Sequence, residues 1–223
     1  VCDYFQEAAG NHATALGVAT DRLLENGRAW VLTRLRLEVD RLPGWRERVT
    51  VETWPSDSDG LYAHRDFLLR ADEDAVFGRG TSVWFVIDVA RRRPVRLPEA
   101  VRALRLPERP DAYAHEMEPL PEPGETPHES AYRVRHDELD LNAHANNARY
   151  VAWTLDAVPP ERYERAVPHR LDVQFRAEAV RGDVVRSACS APPDGAGGLL
   201  RHRLTRESDG RLLAVAETAW RAR

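Results

Sequence analysis

Apolar residues along the first third of the chain change period once. From Tyr4 to Leu16 (YFQEAAGNHATAL) they recur at helical spacing, and Gly17 supplies a C-terminal stop. After a polar turn at Glu25 to Gly27 the period drops to two. Val31, Thr33, Leu35, Leu37 and Val39 then fall on one side of an extended segment that begins at Trp30. Arg48 to Trp54, Tyr62 to Arg70 and Val76 to Ile87 read as further strands, parted by Pro43-Gly44, by Asp57 to Gly60 and by Ala71 to Asp74. The expected unit is one helix followed by an antiparallel meander. A short helix is expected at Pro98 to Leu104, after which Pro, Glu and Arg dominate. Pro107 to Pro127 suits neither a helix interior nor a central strand and reads as a linker.

Beyond the linker the pattern starts again. A strand at Ala131 to Arg135 leads through a polar segment into a helix at Ala148 to Val158. Strands follow near Arg170 to Ala177, Asp183 to Ala191, Leu199 to Arg206 and Leu212 to Trp220. The second meander lies on the first at one offset of 136 positions, which pairs Leu35 with Leu171, Glu47 with Asp183, Val49 with Val185, Arg65 with Arg201, Leu68 with Leu204, Arg70 with Arg206 and Trp84 with Trp220. The chain therefore reads as a duplicated unit. The expected class is α+β, a double hotdog in which two sheets join edge to edge with both helices on the concave side. The expected boundaries are 1–106 for the first unit, 107–128 for the linker and 129–223 for the second unit. Aligning the helices at Tyr4 and Tyr150 puts the counterpart of the segment before the second helix upstream of Val1. The first unit is thus expected to lack its leading strand in this chain.

Composition narrows the function classes. The 223 residues are 43% hydrophobic and 30% charged, which suits a soluble globular protein. No apolar run approaches the roughly 20 residues a membrane span needs, and the first residues lack a basic flank with an apolar core, so a cytoplasmic protein without stable membrane insertion is expected. Cys2 and Cys189 form neither a disulfide framework nor a metal-ligand spacing, and no metal or cofactor is expected. A formal charge of −4 argues against nucleic acid as a partner. Apart from His, every basic residue is Arg, so runs such as Arg91 to Arg93 carry little weight as a binding patch.

The candidate chemistry sits just before the second helix, in ELDLNAHANNARYVAW (Glu138 to Trp153). Asp140, Asn142 and His144 occupy alternate positions, and an extended backbone would present a carboxylate, an amide and an imidazole on one side. Asp and Asn also serve turns, and Asn146 or Asn147 suits the N-cap of the following helix, so this stretch alone leaves a site and a turn both open. The repeat adds a difference: Glu178 of the second unit falls opposite Leu42, so the first unit lacks that carboxylate.

FQEAAGNHATALG, AWVLTRLRLEVDRLPGWRERVTVETWP, TSVWFVID, ELDLNAHANNARYVAW and LDVQFRAEAVRGDVVRS follow one another over most of the chain. In that order they resemble the acyl-carrier-protein thioesterases of plants and bacteria. The resemblance implies a double hotdog and hydrolysis of the thioester between a fatty acyl chain and the phosphopantetheine arm of acyl carrier protein, which releases free fatty acid. It implies Asp140, Asn142, His144 and Glu178 as the catalytic residues. It further implies that the first unit supplies an acyl-chain pocket, for which Phe5, Ala8, Ala9, Val51 and Trp84 are candidates that serve equally well as core. Many members of that family carry Cys directly after the Glu. Here the position is Ala179, so sulfur cannot be the nucleophile at that site.

Within that resemblance, Asn142 and the free N–H groups at the start of the second helix would polarise the thioester carbonyl. His144 would move a proton, and Asp140 would orient Asn142 or His144 through a hydrogen bond. Glu178 would align a water or attack as a nucleophile. Acyl carrier protein is acidic, and Arg149, Arg176 and Arg181 are the basic residues near the motif that could meet it. A homodimer is left open. Two other readings stand beside this one: a hotdog thioesterase acting on acyl-coenzyme A, and a relative that binds acyl chains without turning them over.

Overall fold

The computed structural model describes residues 1–71, 75–104, 108–113, 118–125, 128–191 and 198–223. The chain divides into two compact units, Val1–Met117 and Glu118–Arg223.

Unit 1 begins with α1 (Cys2–Ala15). It ends where Gly17 takes φ 71°, a conformation that lets the Val18 N–H reach back to the Ala13 carbonyl at 2.9 Å. Phe5 and Ala9, about one turn apart, form its buried face. Phe5 stacks on Phe67 with ring centroids 4.3 Å apart. That approach depends on Gly80, where any Cβ would run into the Phe5 ring. A second short helix, α2 (Thr20–Leu24), left no signal in the apolar pattern. It buries Leu23 in a cluster with Val18, Val86, Leu97 and Val101.

The sheet of unit 1 consists of β1 (Arg28–Val39), β2 (Thr50–Ser58), β3 (Tyr62–Arg70) and β4 (Val76–Asp88). All pairs are antiparallel, in the order β2-β3-β4-β1, with β5 (Arg93–Val95) added to β4. α3 (Glu99–Arg102) falls within the expected short helix. One expectation for β1 fails. A bulge at Thr33 shifts the register between Leu32 and Arg34, so Leu32 shares the buried side with Leu35, Leu37 and Val39, while Val31 and Thr33 do not. One extra residue inverts the alternation on either side of it.

Unit 2 contains β6 (His128–Arg133), α4 (Asn147–Asp156), α5 (Pro160–Arg165), β7 (Ala166–Phe175), β8 (Val184–Ser190), β9 (Leu199–Arg206) and β10 (Leu212–Ala222). Its strands are ordered β7-β10-β9-β8-β6, again antiparallel. α4 packs on β8 and β9. Among the described residues, the edge of unit 1 at β2 carries no strand corresponding to β6.

The duplication is visible in the register. Leu35 faces Ser82 and Leu171 faces Thr218, and the bulge at Thr33 recurs at His169. The Trp84 indole donates to Ser82 Oγ at 2.8 Å, as the Trp220 indole does to Thr218 Oγ1 at 2.9 Å. The third strand departs from this agreement. Arg65 faces Ser82, but Arg201 faces Glu217, one residue short of the position a constant offset requires. The cause is a turn one residue longer: Arg70 faces Val76 where Thr205 faces Leu212. The pairings Arg65 with Arg201, Leu68 with Leu204 and Arg70 with Arg206 are therefore incorrect. The structural counterpart of Leu204 is the buried Leu69, and His202 stands where unit 1 has Phe67.

Within the stretch expected as a linker, residues 107, 114–117 and 126–127 lie outside the described residues, as do 72–74 of the expected turn. Residues 108–113 pack onto unit 1. The Arg109 guanidinium lies 3.9 Å over the Trp54 ring and pairs with Glu52. The Ala112 N–H donates to Asp66 at 2.6 Å, and the Tyr113 hydroxyl donates to Glu38 at 2.9 Å.

Candidate active site

The segment from Leu139 to Ala145 is a turn built on one carboxylate. Asp140 Oδ1 accepts the backbone N–H groups of Asn142 at 2.8 Å and His144 at 3.1 Å. The Asp140 N–H donates to the His144 carbonyl at 2.7 Å and closes the loop, and Ala143 takes φ 60° within it. Asp140 thus orients Asn142 and His144 through their main chain. Leu141 and Asn142 lie exposed at the tip, whereas Asp140 and His144 are half-buried.

A second segment runs alongside. His144 faces Val180 in an antiparallel bridge, and the Ala145 N–H donates to the Ala179 carbonyl at 2.8 Å. His144 and the half-buried Glu178 therefore stand on paired segments, with Glu178 two residues before the partner of His144. The α4 helix starts directly after this turn. Asn146 caps it by accepting the Ala148 N–H at 2.9 Å, which resolves the choice between Asn146 and Asn147.

The peptides around Glu178 are held individually. The Tyr150 hydroxyl, from the buried face of α4, donates to the Ala177 carbonyl at 3.1 Å and accepts the Ala179 N–H at 2.7 Å. Arg206 Nη2 donates to the Glu178 carbonyl at 2.9 Å, and Arg206 Nε pairs with Asp183 at 3.3 Å. Asp183 in turn accepts the Val180 N–H at 3.0 Å. Burial pushes the Tyr150 phenol up to about 12, so it keeps the proton it donates. Tyr150, Arg206 and Asp183 appear in the sequence only as members of the repeat and not as parts of the site, because their bonds here join residues up to 29 positions apart. Ala179 itself is fully buried.

The five candidate acyl-chain residues separate. Phe5 is core, at 1% exposure. Ala9 and Trp84 line a cavity of about 200 Å³ within unit 1, between α1 and the sheet. Ala8 and Val51 line a different, open groove beside Trp45. Of the candidate basic residues, Arg176 and Arg181 are exposed and Arg149 is half-buried. Cys2 and Cys189 are buried, and burial pushes both thiols up to about 11, which leaves them unreactive near neutral pH. Among the described residues no group of His, Cys, Asp and Glu could hold a metal ion, and no helix is long and apolar enough to cross a membrane.

Comparison with known proteins gives consistent matches along both units. Family models for the acyl-ACP thioesterase N-terminal domain and C-terminal domain match residues 1–104 and 122–222. A chloroplastic acyl-[acyl-carrier-protein] hydrolase of Cuphea viscosissima is 30% identical over 97% of this chain and 56% of its own length. A dodecanoyl-[acyl-carrier-protein] hydrolase of Cinnamomum camphora is 30% identical over 99% of the chain and 62% of its own length. The chain thus spans little more than half of these relatives. Among solved structures, the 12:0-ACP thioesterase from Umbellularia californica superposes with a TM-score of 0.88 at 26% identity, covering 100% of this chain and 88% of that one. An acyl-ACP thioesterase from Bacteroides thetaiotaomicron shares the fold with a TM-score of 0.86 at 22% identity, covering 98% and 87%.

Proposed function

Because this chain belongs to the acyl-ACP thioesterase family, we propose that it hydrolyses the thioester of fatty acyl-acyl carrier protein and releases the free fatty acid. The observation that carries the reading is the clamped segment of residues 177–180. It is fixed by Tyr150 and Arg206 and paired with the segment that bears His144. A carboxylate and an imidazole held on adjacent, immobilised backbone supply the acid–base pair that thioester hydrolysis needs.

In the proposed reaction Glu178 takes a proton from water as the water oxygen bonds to the acyl carbon. Asn142 and the positive end of the α4 dipole stabilise the oxyanion. Collapse of that intermediate breaks the carbon–sulfur bond, and His144 gives a proton to the departing thiolate. The water route is favoured over attack by Glu178 itself because it needs no activated carboxylate. Unit 1 takes the acyl tail in the cavity lined by Ala9 and Trp84. Acyl carrier protein is the proposed macromolecular partner, in a cytoplasmic setting of fatty acid biosynthesis.

The test is release of free fatty acid from carrier-bound acyl chains of several lengths, run beside the matching coenzyme A thioesters. Wild-type turnover of the carrier-bound series, lost in His144→Ala and in Glu178→Ala but kept in Cys189→Ala, is expected. Normal turnover by His144→Ala sinks the site, and preference for coenzyme A esters sinks the carrier assignment. Bound lipid with no turnover by wild type sinks the enzyme.

A further inference from the structure

Arg65 of β3 stands on the wall of the unit 1 cavity with only 9% of its surface exposed. A guanidinium so buried ordinarily faces a carboxylate, because an uncompensated charge in an apolar setting is costly. Arg65 instead meets two neutral groups, both through Nη1: His12 Nδ1 at 2.9 Å and Thr53 Oγ1 at 3.2 Å. Burial and the nearby guanidinium lower the pKa of His12, which keeps its ring neutral and available as an acceptor. Burial alone lowers the Arg65 pKa, to about 10, with no acid raising it.

The remaining polarity of the cavity does not supply the missing anion. Asp57 also lines the wall, where its Oδ1 accepts the Ser58 N–H at 2.8 Å, but it forms no ion pair with Arg65. No carboxylate among the described residues pairs with Arg65, and its Nε and Nη2 bond no protein atom among them. That edge of a guanidinium is a planar pair of donors matched to the two oxygens of a carboxylate. Most of the surrounding wall is apolar, formed by Ala9, Ala13, Trp30, Ala63, Trp84 and Leu104. An apolar chamber with one uncompensated cation on its wall suits an amphiphile whose charged end is an anion.

We propose that the unit 1 cavity binds an aliphatic chain terminating in a carboxylate, with that carboxylate seated bidentate on the Nε and Nη2 groups of Arg65. Two sources share this chemistry: the far end of an ω-carboxyacyl thioester, and a free fatty acid. Use of the cavity by a substrate's tail rests on the function proposed above. The preference for a carboxylate does not.

Calorimetric titration of the full chain with decanoate and with 1-decanol at neutral pH tests the inference. Decanoate is expected to bind about tenfold tighter or better, as a charge-assisted bidentate contact allows. Arg65→Met is expected to reduce decanoate to the affinity of the alcohol while leaving the alcohol unchanged. Equal wild-type affinities for acid and alcohol overturn the proposal without recourse to any variant, and so does a preference that survives in folded Arg65→Met. A second arm identifies the source. Faster hydrolysis of a carrier-bound ω-carboxyacyl chain than of the plain chain of equal length assigns the carboxylate to the substrate. Competitive inhibition by decanoate without that preference assigns it to the free acid. If no thioester is hydrolysed, the proposed function fails, and the titration still decides this inference.

Discussion

Removing the Tyr150 hydroxyl strips a partner from two peptides at once. Tyr150→Phe removes the partner of the buried Ala179 N–H and of the half-buried Ala177 carbonyl, at a cost of about 1–3 kcal/mol in stability. Glu178 lies between those two peptides, so the same substitution is expected to lower kcat about ten- to a hundredfold with a smaller change in KM. Steady-state kinetics beside a urea melt checks both. An unchanged kcat in a destabilised but folded variant would show that Tyr150 supports the fold alone. Asp140 and His144 were legible as candidates because they fall in one short polar stretch, although it folds as a turn and not as the extended segment that alternation implies, and Glu178 because the repeat exposed it as a difference from Leu42. Tyr150 and Arg206 were not, since their contacts follow from how α4 and β9 meet the 177–180 segment. Neither periodicity nor spacing encodes that meeting.

At the level of elements, the apolar pattern located the long strands to within a few residues and matched β3 and β9 at both ends. It failed at Thr33 because a bulge has no compositional mark, and at α2 and α5 because five or six residues are too few to show a helical period. Helix–strand packing yields two further predictions. Unit 1 places Gly80, whose backbone the Phe5 ring presses on, where unit 2 has Ala216. Gly80→Ala is therefore expected to cost about 1–3 kcal/mol by overpacking against Phe5, read as a lower urea midpoint. Asn146→Ala removes the cap of α4 and is expected to cost about 1 kcal/mol. Since α4 also carries Tyr150, its melting and the loss of activity on warming should coincide in that variant.

For the molecule as a whole, the repeat was legible in the sequence, but its uniformity was not, because a turn longer by one residue is invisible to an ungapped comparison. Correcting the register reveals that His202 fills the place of Phe67. Its Nε2 bonds Thr218 at 2.8 Å, and burial pushes its pKa down to about 3 from an ordinary 6.5. The unfolded chain therefore takes up a proton at a pH where the native state does not. The contribution to stability is complete above about pH 6.5 and is lost as pH falls toward 3. Between pH 7 and pH 5 this amounts to roughly 2 kcal/mol, visible as a falling urea midpoint that His202→Phe should flatten. The packing of residues 108–113 onto unit 1 bears on where the chain can be cut. Arg109, Ala112 and Tyr113 fasten to Trp54, Glu52, Asp66 and Glu38, so a protease should spare these bonds while the unit is native. An N-terminal fragment ending at 113 should then survive digestion longer than one ending at 106, which puts the working boundary of the first half seven residues later than the expected one.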